Sequence, residues 1–132
     1  MPSTIATDLA EAARLIRERG LWNGPGSFAH DSDNGPLDPV AALWHAAHGH
    51  LEFVFTAGLP GYADKATEMV LTDPRVLDAV EFLSANLTDD EAHYGADEAP
   101  IERIAQWVTT ATASEVIGRL VRLAEPAHQL AA

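Results

Sequence analysis

The chain has 132 residues, 47% of them hydrophobic and 21% charged, which fits one domain with a single core, read as residues 1–132, and excludes wholesale disorder. Asp and Glu number 20 against 8 Lys and Arg, so the formal net charge is −12, which disfavours nucleic acid and anionic membrane surfaces as partners. The absence of cysteine removes disulfides, thiolate nucleophiles and zinc–thiolate sites, and with no signal-peptide pattern at the N-terminus the expected location is the cytoplasm.

Asp8 followed by Glu11 has capping-box spacing and opens an amphipathic helix with Leu9, Ala12, Ala13 and Ile16 on its apolar face, stopped by Gly20. Leu21 to Leu37 is punctuated by Gly24, Pro25, Gly26, Gly35 and Pro36, with Trp22 and Phe28 as anchors. It reads as an irregular or short β segment of a length that is often functional. His30, Asp31 and Asp33 could offer metal ligands. The calcium-loop pattern fails, however, because Gly35 and Pro36 occupy its fifth and sixth positions and Ala42 stands where its Glu belongs.

Leu37 to Leu51 carries the clearest element. Asp38 is an N-cap, Pro39 suits the first helical position and Gly49 the left-handed stop, and no formally charged residue lies between Pro39 and Gly49. Val40, Leu43, Trp44 and Ala47 share one face with His45 and His48 at its edge, which predicts a central helix buried nearly all round. Leu51, Phe53 and Phe55 alternate with Glu52 and Val54, which suits a short strand over 51–56, but the run is too brief for periodicity to separate strand from helix. Tyr62–Leu71 reads as a helix. Asp73-Pro74 repeats the Asp-Pro start signal ahead of a helix striped by Val76, Val80, Leu83 and Leu87. Thr88 to Ala99 is a polar connection holding His93 and Tyr94. Pro100 opens a helix with Ile101, Ile104, Ala105, Val108 and Trp107, and a Thr112/Glu115 capping box leads into the last one, ending near Pro126. The expected architecture is mainly α: about six helices around a buried central helix.

Three stretches resemble a family of small uncharacterised bacterial and phage proteins. The first is Leu15-Ile16-Arg17-Glu18-Arg19-Gly20 followed by Trp22 and Gly24. The second is a Gly-containing loop running into an Ala-rich helix. The third is Ile104 and Trp107 followed by Thr112, Glu115 and Val116. Asp38 and Val108-Thr109 stand where the family pattern commonly carries a Cys and an Asn-Asp pair. The resemblance implies a helical architecture and carries no activity.

No catalytic triad, phosphate loop or dinucleotide fingerprint is present. The first functional expectation is a small acidic binding or accessory protein, acting through an aromatic and His-lined pocket or through an acidic protein-facing surface. Its ligand residues would be Trp22, Trp44, Tyr62, His93, Tyr94 and Trp107, and its partner a small molecule or a protein. The alternative is a small cofactor-independent enzyme of specialised metabolism, a cyclase, isomerase or hydrolase, in which His45 and His48 work with Asp38 in acid–base chemistry. No cofactor is expected. A metal at His45, His48 and His50 is the lesser option, since their spacing matches no metalloprotease pattern. The oligomeric state is left open, a homodimer included.

Overall fold

The computed structural model describes residues 4–23, 27–30, 34–56, 60–88 and 99–125. Among them run six α-helices: α1 (Thr4–Arg19), α2 (Pro39–His48), α3 (Pro60–Leu71), α4 (Pro74–Ala85), α5 (Pro100–Val108) and α6 (Ala113–Leu123), with a 3-10 turn at Phe53–Phe55. All six helices contribute to one cluster of buried apolar side chains. No helix among the described residues is long and apolar enough to cross a membrane.

Helix α1 buries Leu9, Ala12, Ala13, Leu15 and Ile16 and packs against α2, α4 and α6. It already runs from Thr4, so Asp8 is not its cap. The Asp8 side chain turns inward, where its two oxygens accept Arg75 Nε at 2.9 Å and Nη2 at 2.8 Å. The capping-box partner Glu11 pairs with Arg14 instead. A charged tertiary partner far along the chain outcompetes the local capping role, and no local pattern announces it.

Gly20 ends α1 at φ +98°, and a miniature sheet follows in place of a free loop. Leu37 sits at its centre, bridged in parallel to Leu21 and antiparallel to Ala29. Trp22 N–H donates to the Leu37 carbonyl at 2.9 Å, Leu37 N–H to Gly20 at 3.0 Å and Asp38 N–H to Phe28 at 2.9 Å. The irregular-or-short-β expectation for 21–37 is met in this form. We call the segment 20–38 the strap.

Helix α2 starts on the Asp38 cap, whose carboxyl accepts the Ala41 N–H, and stops at Gly49 with φ +83°. Pro39 to Trp44 are buried, whereas His45, Ala46 and Ala47 are half-buried and His48 is exposed. The central helix is therefore enclosed for its first six residues and opens at its C-terminal third. Of the strand and helix alternatives for 51–56, the helical one forms, as a 3-10 turn at Phe53–Phe55: Phe55 is fully buried and Phe53 is 66% exposed. The Phe55 carbonyl accepts both the Phe28 and Ala29 N–H groups, and that fixes the turn to the strap without a ladder. Helix α4 packs on α1, α2, α3 and α5, with the expected Val76, Val80, Leu83 and Leu87 all buried. Both halves of the Thr112/Glu115 capping box form at the start of α6.

Candidate functional site

Asp38 is the residue on which the site is built. Its backbone is held on both flanks, by the Phe28 carbonyl on its own N–H and by the neighbouring Leu37 bridges. Its side chain Oδ1 accepts the Ala41 N–H at 2.8 Å, and the residue is only 7% exposed. Burial penalises the carboxylate, and the hydrogen bonds from the Ala41 and Val40 amides offset this only in part, so its pKa is pushed up to about 8. At neutral pH it is mainly a neutral carboxylic acid, an uncommon state for an N-cap that ordinarily benefits from charge at a helix N-terminus.

Asp38 lines a cleft of about 410 Å³ between the strap and α5. From the strap come Trp22, Asn23, Ser27 and Phe28; α5 and the residue after it supply Ile101, Glu102, Ala105, Val108 and Thr109, and α3 adds Ala63. The strap wall is braced from behind. Trp22 Nε1 donates to the Ser27 carbonyl at 3.3 Å, Ser27 Oγ to the Ala29 carbonyl at 3.1 Å, and the Trp22 ring lies 5.1 Å from that of His30. On the other side, Phe28 meets the buried Phe55 edge to face at 5.9 Å. The cleft thus joins aromatic and aliphatic walls to one buried carboxyl, within the ~300–1,000 Å³ of small-molecule pockets.

Of the residues proposed from sequence, Trp22 and Asp38 come together here. The α2 histidines go elsewhere. His48 Nε2 lies 2.7 Å from Asp73 Oδ2, its ring 4.3 Å from that of Trp44, while His50 Nε2 lies 2.7 Å from Glu52 Oε1. His45 is half-buried, and burial first and Arg19 second lower its pKa. These histidines do not converge, and no group of three or more potential ligands could hold a metal among the described residues. Trp44 is core, its ring 5.1 Å from Phe55, with a buried Nε1 that has no hydrogen-bond partner among the described residues. Trp107 is also core, and Arg119 lies 5.5 Å over its ring. Tyr62 meets Phe53 edge to face at 5.5 Å on the surface. His93 and Tyr94 lie outside the described residues, as do Asp31 and Asp33.

Sequence reading overlooked the α5 wall. Glu102, Ala105 and Thr109 follow one another at helical spacing beside the apolar stripe, and the small exposed Ala105 in the middle leaves the room. A larger and shallower cleft of about 680 Å³ lies along α1, with Ala6, Ala10, Ala46 and Ala124 among its lining. Its charged groups are already matched, Asp8 with Arg75 and Glu11 with Arg14, and no aromatic ring lines it among the described residues. Of these two clefts the strap cleft is the better site, because there a buried ionisable group meets aromatic walls.

The described residues thus form six helices with a carboxyl-containing cleft under a short β strap. The chain belongs to a family of unknown function (DUF6197), whose model matches residues 1–126. Neither a curated protein nor a solved structure matches it.

Proposed function

We propose that this protein is a small-molecule binding protein whose ligand occupies the strap cleft. The supporting observation is the burial of Asp38 at the edge of an aromatic-walled cavity. The Asp38 Oδ1 caps α2, and the residue's place in the cleft lining gives a ligand site the one well-placed polar group that orients an otherwise apolar guest. Trp22 and Phe28 provide stacking area, Val108 and Ile101 an aliphatic wall, and Asp38 the orienting hydrogen bond. A guest of one or two rings matches the volume. The enzyme alternative joins His45 and His48 to Asp38, but of the three only Asp38 is among the described residues lining this cleft, and His48 pairs with Asp73, a contact that joins the end of α2 to the start of α4.

The test is thermal denaturation of the full chain with a panel of one- and two-ring alcohols, ketones and amines at millimolar concentration, compared with Ala105→Trp. Ala105 is exposed on α5, so a Trp there fills the cleft without disturbing the core. The expected result is an upward shift in Tm with some members of the panel, lost in Ala105→Trp. Shifts of equal size in both proteins, or none in either, would overturn the reading.

A further inference from the structure

The cleft's charge pattern narrows the guest. Among its described lining residues the ionisable groups are two carboxyls, Asp38 at depth and Glu102 on the exposed face of α5, with no Lys, Arg or His. The remaining polar groups, Asn23, Ser27 and Thr109, are neutral. Two aromatic rings, Trp22 and Phe28, line the strap side together with Asp38, and an aromatic face attracts cations through its quadrupole. The whole chain, at −12, lies in the same electrostatic direction and concentrates cations at its surface.

Resting on the ligand-site reading above, we propose that the guest is a monovalent organic cation, an amine carried on an aromatic or branched aliphatic skeleton, with its ammonium paired to Asp38. An anion would meet two carboxyls and no counter-charge. A neutral guest would use the volume but not the charge pattern. For an ammonium, desolvation on both sides is repaid by a charge-assisted hydrogen bond, while the skeleton lies between Trp22 and Val108. The proton balance follows directly. The neutral Asp38 acid loses its proton to solvent as the ammonium arrives, and the ion pair forms in the cleft. Glu102 is the other ionisable group that faces the guest among the described lining, α3 contributing only Ala63 and the strap only neutral side chains besides Asp38.

The experiment is calorimetric titration of the full chain at neutral pH with three probes sharing one ring: 2-phenylethylamine, 2-phenylethanol and 3-phenylpropionate. The amine is expected to bind at least about 10-fold tighter than the alcohol, as for a charge-assisted contact. Its heat should depend on buffer ionisation enthalpy, with proton release, and the propionate should show no binding. In Asp38→Asn, which keeps an N-capping side chain, the amine-to-alcohol preference should shrink to about 2-fold or less; in Glu102→Gln it should shrink less, because that group is exposed. The proposal fails if the wild-type protein binds the alcohol as tightly as the amine, or if the preference survives in Asp38→Asn. The ligand-site reading itself would survive the first of these outcomes and would fall if none of the probes bound. The wild-type comparison decides the matter even if a variant does not fold.

Discussion

At the residue scale, among the described residues, two buried carboxyls are put to opposite uses. Asp8 is 1% exposed and carries a bidentate Arg75, so its charge is matched in place. Asp38 has only backbone amides, and burial leaves it neutral. The consequence is a pH-dependent stability with a definite sign. The unfolded carboxyl titrates near 3.8 and the folded one near 8, so the folded-state pKa is raised; the stabilisation is fully present below pH 4 and is lost as pH rises toward 8. Asp38→Asn keeps the cap and removes the titration. Relative to the wild type, its Tm should therefore climb between pH 4 and pH 8, at a limit of about 1.4 kcal/mol per pH unit. A constant offset across that range would mean that Asp38 is not held neutral. Arg75→Ala should instead be destabilising at neutral pH, by about 2 kcal/mol in a denaturant titration. That value lies below the ~3–5 kcal/mol of a fully buried pair, because the guanidinium is 46% exposed.

At the element scale, helix boundaries were legible wherever the deciding contact is local. Asp38, Asp73 and Thr112 all cap as expected, since each side chain reaches an amide three residues on. The start of α1 was misread because Asp8 is claimed by Arg75, 67 positions away. The 51–56 run is too short for its alternation to decide between strand and helix, and the 3-10 turn is settled by one buried Phe55 whose carbonyl accepts two strap amides. The site was half legible: Trp22 and Asp38 stand out as residue types, but the α5 wall is joined to them only by folding. His48 at the end of α2 and His50 just beyond it form no common site, because Asp73 and Glu52 offer each ring its own carboxylate. Two substitutions probe these joints. Asp73→Ala removes a cap and the His48 contact together and should cost about 1–2 kcal/mol, whereas Asp73→Asn should retain most of the capping share. Gly20→Ala forces a side chain into φ +98° and should cost at least about 1 kcal/mol by chemical denaturation, with the loss arising from strain rather than from crowding, since the nearest atom to an added Cβ is Pro36 Cβ at 3.5 Å.

At the scale of the whole molecule, a six-helix core is held under a −12 charge. Self-repulsion of that size is screened over about 8 Å at physiological ionic strength. Thermal stability should accordingly rise as sodium chloride is raised from low salt toward about 0.5 M, while binding of a cationic guest should weaken over the same range. A protein whose Tm fell with salt would be dominated by its surface ion pairs, such as Arg14 with Glu11 and Glu18, in place of net repulsion. Under the proposed cation-binding reading, long-range charge and local site act in the same sense: the field would draw cations to the surface, and the strap cleft would select among them by ring and carboxyl.

The most direct measurement is a two-dimensional amide and indole NMR titration of the full chain with 2-phenylethylamine and 2-phenylethanol. The Trp22 indole signal and the amides of Ser27, Phe28, Asp38 and 101–109 should shift together and saturate, while those along α1 from Thr7 to Arg14 stay in place. Shifts centred on the α1 cleft, or a Trp22 indole signal that does not move at saturating probe, would contradict the assignment of the strap cleft as the ligand site.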